Sequence, residues 1–405
     1  MGNLMTEPET TVVILGAGHA GGACGIALRE LGFTGRIKMF GEEAIPPYER
    51  PSLSKEYMTG AEPKPTFLKA DWAALSISLH LGTSVRAIDL KNRKLHLADG
   101  RAIDWDRLLI ATGGRPRLLP ISTIPLGHPR LFTLRTAPDA EAIREVASRS
   151  RHAVVVGGGV IGLEVAASLQ KFNVLTTVIE RTPHLMARNV PTDPANWLAD
   201  LHRSRGTGLH IATDIERIVP KNEGLVVHLA DTATVEADFV IIGIGIVPNV
   251  EIAVEAGLFT DDGILVRDDY TTPDPAVLAI GDVARREGVP RNESWAHAQT
   301  SARAAARTLM GLPAEPHEPP WFWTDQFDHR LQIAGEVMTS DSVVFRSAAG
   351  GGKVALYLRE GRLHGVAAFN ATRDFGAARR LVASRVALDP LRAADPSCDL
   401  RRAVA

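Results

Sequence analysis

Cysteine is nearly missing. The 405 residues hold two, Cys24 and Cys398. They form no C-x-x-C or C-x-x-x-x-C pair, so neither a thiol–disulfide relay nor a cysteine-rich metal site can be built, and no metal site is expected. Charge of one sign is missing too. Lys and Arg number 45 against 47 Asp and Glu, a formal net charge of −2, which leaves no global basic field for nucleic acid. No apolar run is long enough to cross a bilayer. The most apolar stretch, residues 153–169, is broken by Gly157, Gly158, Gly159, Gly162 and Glu164. With little cysteine and no signal peptide, the expected setting is the cytoplasm, away from membranes. Met1-Gly2 with Thr6 matches a loose myristoylation pattern. Such short patterns are weak, and a leader ahead of a strand at Thr11–Leu15 is the simpler reading.

What is present is one pattern written twice. Thr11-Val-Val-Ile-Leu15 runs into Gly16-Ala-Gly18-His-Ala-Gly21 and a helical stretch to about Leu31; Ala153-Val-Val-Val156 runs into Gly157-Gly-Gly159-Val-Ile-Gly162 and a helical stretch to about Phe172. A β-rich run follows each, at Arg36–Phe40 and at 175–179. In such a unit the first glycine makes the tight turn, the second lets the backbone approach a pyrophosphate, and the third lets the helix pack on the strand. The phosphates sit on the free N–H groups of the helix start. An acidic residue after the second strand binds ribose hydroxyls. The candidates are Glu42 (or Glu43) and Glu180. One G-x-G-x-x-G is weak evidence, but here strand, helix and acidic residue accompany both copies.

Two more strands end in small or acidic residues: Leu108-Leu-Ile-Ala-Thr-Gly113-Gly114 and Ala276-Val-Leu-Ala-Ile-Gly281-Asp282. Asp282 suits a ligand hydroxyl at the carboxyl end of a strand, or the cap of the segment that follows. The run 239–248 reads as the last strand of the second dinucleotide unit. Beyond Pro319-Pro320 the pattern changes to short strands, with Gly350-Gly351-Gly352 as a hairpin loop. The expected fold class is α/β, with two Rossmann-like dinucleotide-binding domains and a small α+β C-terminal domain. Their expected bounds are 1–118 with 247–318, 119–246, and 319–405.

Longer motifs carry a resemblance. They are Pro47-Tyr-Glu-Arg-Pro-Ser-Leu-Ser-Lys55, Leu109-Ile-Ala-Thr-Gly-Gly114, residues 157–164, Gly281-Asp282, Glu293-Ser-Trp295, Pro320-Trp-Phe-Trp-Thr-Asp-Gln326 and Asn370-Ala-Thr-Arg-Asp-Phe375. On these, nearly the whole chain resembles the two-dinucleotide flavoprotein reductases of the glutathione reductase class. Within that class it resembles the NADH-dependent ferredoxin reductases of bacterial oxygenase systems, those of biphenyl-type aromatic-ring dioxygenases in particular. Putidaredoxin reductase, which serves a cytochrome P450, is related.

The resemblance implies FAD and NADH as cofactors. Hydride would pass from nicotinamide to flavin, and single electrons from flavin to an iron–sulfur ferredoxin of the Rieske [2Fe–2S] type. Gly16, Gly18, Ala20 and Gly21 would lie in the flavin loop and Glu42 at its ribose. Arg50 and Lys55 would lie near the pyrophosphate and isoalloxazine. Val85 would meet the adenine, Thr112 and Gly113 would line the flavin path with Arg135 nearby, Asp282 would take the ribityl hydroxyls, and Trp295 would lie at the ring edge. Gly157, Gly159, Ile161, Gly162, Glu164, Glu180 and Gly245 would hold NADH. Glu180 would disfavour a 2′-phosphate, while Arg181 beside it could accommodate one.

Three residues are singled out for the chemistry, each with an ordinary reading beside it. Lys55 would tune the flavin, or is a surface lysine after a turn. Glu164 would stand beside the nicotinamide, or merely favour the helix dipole. Trp323 would cover the flavin edge at a ferredoxin dock, or pack at a domain interface. The arginines of the tail would steer an acidic ferredoxin, or form a solvated face. Cys24 is expected to be a small packing residue, and His19 and His297 to be as well explained by solvent-facing or core positions as by the flavin. An NADH oxidase or peroxidase would need a cysteine beside the flavin, and none stands near Lys55. A P450 ferredoxin reductase and an NADH-binding redox sensor like apoptosis-inducing factor are the other readings.

Overall fold

The computed structural model describes residues 9–119, 124, 127–316, 318–338 and 340–405; the leader with Met1-Gly2 and Thr6 lies outside them. The chain divides into two compact units. The first comprises Met1–Pro51, Pro65–Arg115 and Ile246–His317, the second Ser52–Lys64, Pro116–Gly245 and Glu318–Ala405.

In the first unit, a five-stranded parallel sheet runs in the order Val277–Ala279, Arg107–Ile110, Thr11–Leu15, Arg36–Phe40, Ile77–His80. Thr11–Leu15 is the central strand and every residue of it is buried. A parallel strand covered on both faces must be apolar throughout, which explains the unbroken run in the sequence. The helix His19–Glu30 follows the glycine turn and buries Cys24 completely. Apolar surroundings disfavour a thiolate, and burial pushes this thiol up to about 12. A second helix, Trp295–Leu309, starts on Ser294, whose hydroxyl accepts from the His297 N–H at 3.1 Å.

The second unit repeats this plan. Its parallel sheet runs Leu131–Thr133, Phe239–Ile242, His152–Val156, Leu175–Glu180, Gly208–Ile211. The helix Val160–Leu169 after the second glycine turn is buried from Gly162 to its end. The same unit holds an antiparallel sheet in the order Trp321–Gln326, His329–Gly335, Arg362–Phe369, Lys353–Arg359, Ser342–Ser347, with the helix Thr372–Ser384. The turn at Gly350 and Gly351 joins the last two strands in space, with φ of +69° and +81° that L side chains avoid.

One arginine fastens the end of the chain. Arg346, 7% exposed on the strand Ser342–Ser347, donates to the carbonyls of Ala393, Asp395, Pro396 and Cys398 at 3.2, 2.8, 3.3 and 2.8 Å and to Asp374 at 3.0 Å. Its fork of N–H donors satisfies a loop that would otherwise present bare carbonyls to the interior.

Two outcomes follow. Arg346→Met, which leaves the half-buried Asp374 carboxylate and several carbonyls without their donor, should lower the unfolding free energy by about 3 kcal/mol in urea titration, with faster hydrogen exchange over residues 388–403. A loss below about 1 kcal/mol would mean the loop does not depend on this guanidinium. Iodoacetamide at about pH 8 should modify Cys398 in the native protein but Cys24 only after denaturation, as read by peptide mass spectrometry, because the attacking species is the thiolate. Equal labelling of both would contradict the packing around Cys24.

Candidate functional site

The two glycine turns have the same construction. Gly16 (φ +118°) donates its N–H to Phe40 at 2.8 Å, and a Cβ there would fall 2.2 Å from the Ala111 oxygen. Gly157 (φ +106°) donates to Ile179 at 2.8 Å, and its Cβ would fall 2.4 Å from the Gly243 oxygen. The third glycines are tight as well: a Cβ on Gly21 would meet the Gly16 oxygen at 2.1 Å, and one on Gly162 the Gly157 oxygen at 2.0 Å. The second glycines differ. The nearest atom to a Cβ on Gly18 is the Arg50 guanidinium at 4.0 Å, and Gly159 has nothing within 4 Å. The first and third glycines are thus dictated by the chain itself, and the second faces open space. Gly18 and Gly159 also cap their helices without any side-chain acceptor. The helix starts therefore keep N–H groups for a ligand, and the residues fit a pyrophosphate in each turn.

The acidic residues are placed differently in the two copies. Glu180 is drawn back onto its own loop: Gly158 N–H donates to one carboxylate oxygen at 2.7 Å, and the Thr182 N–H and hydroxyl donate to the other, each at 2.7 Å. A carboxylate has about four acceptor directions, two on each oxygen, so the oxygen that meets Gly158 retains one for a ribose hydroxyl. In the first copy Glu42 is exposed, while Glu43 is half-buried and accepts from Arg50 at 2.8 Å and the Tyr48 hydroxyl at 2.7 Å.

The other positions of interest in the first unit lie at strand ends and helix starts. Thr112 donates its hydroxyl to the Asn249 oxygen at 2.9 Å, and the Gly113 oxygen accepts the Asn249 N–H at 3.0 Å. Val85 opens the strand Val85–Asp89. Asp282 lies in the short turn Gly281–Val283, and its carbonyl accepts from Arg291 at 3.0 Å. Ala20 packs against that turn: a Cβ on Gly281 would fall 2.9 Å from its methyl. Trp295 begins its helix with the ring 5.3 Å from His19. His19 is buried, which lowers its pKa to about 4, and it meets Gln299 through Nε2 at 2.7 Å. His297 is lowered to about 4 by burial too, so both imidazoles are neutral.

In the second unit, Arg135 stands just before the helix Ala137–Ala147, its N–H on Asp139 at 2.9 Å. Gly245 (φ +100°) accepts the Arg117 N–H at 2.8 Å, and Ile161 is 42% exposed at the helix start. Trp323 stacks on Trp321 at 5.6 Å, and Trp321 in turn lies under Arg379 at 4.7 Å. That places one tail arginine on an aromatic face.

The densest polar cluster surrounds Glu164. Its side chain is 2% exposed and Lys55, at 3.1 Å, 13%. The Ser54 hydroxyl donates to one carboxylate oxygen, and the Thr324 hydroxyl to the other at 2.8 Å. Burial pushes this carboxyl up, and Lys55 with the two hydroxyls oppose that shift. Lys55 is therefore no surface lysine. Ser54, Thr324 and Gln326 lie inside the motifs quoted above without a role of their own there; neighbours as polar as Glu49, Arg50 and Asp325 leave no local signal to mark them.

Residues 10–305 match the model of a family described as pyridine nucleotide-disulphide oxidoreductase, and residues 321–404 one described as reductase C-terminal. The chain belongs to the pyridine nucleotide-disulphide oxidoreductase family. It is 36% identical to terpredoxin reductase of a Pseudomonas species over 411 residues, 99% of each chain. It superposes on putidaredoxin reductase, solved in covalent complex with putidaredoxin, with a TM-score of 0.92 at 33% identity over 98% of each chain. The ferredoxin reductase for the CYP199A2 system of Rhodopseudomonas palustris gives the same TM-score at 36% identity over 98% of this chain and 100% of that one. Within the family, the chain stands with the ferredoxin reductases related to putidaredoxin reductase, and it is an oxidoreductase that uses FAD and NAD(H). The disulphide in the family description has no counterpart here, since Cys24 and Cys398 are both free. Among the described residues no helix is long and apolar enough to cross a membrane, and no group of His, Cys, Asp and Glu could hold a metal ion.

The glycines give a two-way test. Gly159→Ala meets no protein atom and should melt like the wild type, yet its methyl occupies the approach of a pyrophosphate and should weaken NADH binding about tenfold or more. Gly162→Ala meets the Gly157 carbonyl and should lower the melting temperature instead. NADH titration by fluorescence, beside thermal melts, separates the two; equal melting losses in both would defeat the assignment.

Proposed function

We propose that this chain oxidises NADH and passes the electrons, one at a time, to a [2Fe–2S] ferredoxin of the Rieske type that feeds a bacterial aromatic-ring dioxygenase, in the cytoplasm. Two open glycine turns in a chain without a redox cysteine pair carry this reading. Two dinucleotides can bind, and no thiol relay can carry electrons onward, so they must leave from the flavin itself. When bound, FAD supplies the two-electron to one-electron conversion that neither nicotinamide nor ferredoxin can make.

In this proposal the FAD domain comprises residues 1–118 and 247–318, the NADH domain residues 119–246, and residues 319–405 the C-terminal domain. Gly16, Gly18, Ala20, Gly21, Glu42, Arg50, Val85, Thr112, Gly113, Arg135, Asp282 and Trp295 hold the flavin. Gly157, Gly159, Ile161, Gly162, Glu180 and Gly245 hold NADH. Glu180 orders the loop and offers its remaining acceptor direction to the adenosine ribose, which favours NADH over NADPH. Lys55 tunes the flavin, Glu164 orients the nicotinamide, and Trp323 shapes the ferredoxin dock. A second reading, a ferredoxin that serves a cytochrome P450, is favoured by the likeness to putidaredoxin reductase and to the reductase of the CYP199A2 system.

The test is a paired assay of the purified flavoprotein. NADH should reduce ferricyanide faster than NADPH does. Cytochrome c should be reduced only when a ferredoxin is added, and a Rieske-type ferredoxin should serve better than a P450-type one. The reverse ferredoxin preference selects the second reading, and rapid oxygen consumption without ferredoxin removes both.

A further inference from the structure

Behind Glu164 the polar side chains continue away from the site. Thr324, which donates to the carboxylate, accepts from the Gln326 amide nitrogen at 3.0 Å. The Gln326 amide oxygen lies 2.8 Å from His202 Nε2, and His202 Nδ1 lies 3.2 Å from the Thr207 hydroxyl. Thr207 accepts from the Gln170 amide nitrogen at 3.3 Å. Thr324 and His202 are fully buried, with Gln326 and Thr207 at 1% and 4% exposure.

Donor chemistry gives this chain a direction. Thr324 donates its proton to the Glu164 oxygen that also meets Lys55, and a carboxylate paired with that ammonium only accepts. The Thr324 oxygen is then free to accept the Gln326 N–H, which turns the amide oxygen toward His202 and requires a proton on Nε2. Burial disfavours the imidazolium, so Nδ1 is a lone pair and takes the Thr207 proton. Every donor from Gln170 onward points at Glu164. An amide does not hand on a proton without changing tautomer, so the chain orients and does not conduct.

We propose that His202 and Gln326 are positioning residues: through Thr324 they fix one hydrogen bond on the Glu164 carboxylate and so hold it in the rotamer that meets the nicotinamide. The proposal rests on the reading of Glu164 as the nicotinamide-side residue. The other groups that face Glu164 are Lys55 and Ser54, on the segment Ser52–Lys64. His202 otherwise meets the Phe327 ring at 5.0 Å, over which Arg205 lies at 5.6 Å.

The test uses the holoenzyme labelled with 15N in histidine. One imidazole should keep its proton on Nε2 and titrate below the ordinary histidine range, and that signal should vanish in His202→Gln. Single-turnover reduction of the flavin at saturating NADH is then compared in Glu164→Gln, His202→Leu, Gln326→Leu and His202→Gln, beside melting curves. His202→Leu and Gln326→Leu should slow reduction about tenfold, the weight of one charge-assisted hydrogen bond. His202→Gln, whose amide can donate to Gln326, should recover most of that rate even if it melts as early as His202→Leu. A His202 that titrates in or above the ordinary histidine range, or carries its proton on Nδ1, overturns the proposal without any variant. A slow Glu164→Gln enzyme with fast His202→Leu and Gln326→Leu enzymes overturns the relay and leaves the reading of Glu164 standing. A Glu164→Gln enzyme as fast as the wild type removes that reading, and the proposal with it.

Discussion

A carboxylate taken out of water must be met by charge and hydrogen bonds, or it takes up a proton. Glu164 is such a group, and the arrangement of its surroundings follows from that demand. Lys55 and Ser54 come from one short segment, Thr324 from the antiparallel sheet, and Glu164 from the helix after the second glycine turn. Each of these elements has its own apolar reasons to pack, but the carboxylate fixes their mutual register more sharply than apolar contact would. Removing one member of such a cluster leaves the others buried and unmatched, a penalty of roughly 3–5 kcal/mol. That makes the cluster a poor contributor to net stability and a strong determinant of where these side chains stand.

The two glycine turns show a different economy of residues. In both copies the first and third glycines answer to steric contact with the protein's own carbonyls, and only the second is left with free space. A sequence pattern with three glycines therefore mixes two kinds of necessity. Two positions are needed for the turn to exist at all, and one for something to approach it. The acidic residue shows the same mixture, since Glu180 closes the loop at Gly158 and Thr182 while keeping acceptor capacity outward.

The repeated strand–turn–helix units were legible because each is local: a handful of residues within about twenty positions states the whole geometry. The buried run at Thr11–Leu15, the turn at Gly350 and Gly351, and the buried Cys24 were legible for the same reason. The partners of Glu164 were not, because they are 110 and 160 residues away along the chain, and no periodicity announces such pairs. Glu42 and Glu43 could not be separated by spacing alone, and what distinguishes them is that Tyr48 and Arg50 reach back to the second of the two. Arg346 was passed over because it stands alone in a strand, far from the arginine-rich tail whose carbonyls it holds.

The way the chain is shared between its two units bears on how it can be made. It changes unit after Pro51, Lys64, Arg115, Gly245 and His317. The parallel sheet of the second unit has all five strands once Ile242 has been synthesised, whereas that of the first lacks Val277–Ala279 beside Arg107–Ile110 until later. Of the two parallel sheets, the one in the unit that holds Thr11–Leu15 is therefore finished later. Until then Arg107–Ile110 presents an open apolar edge, which on a crowded ribosome is the place where a holding chaperone would be needed.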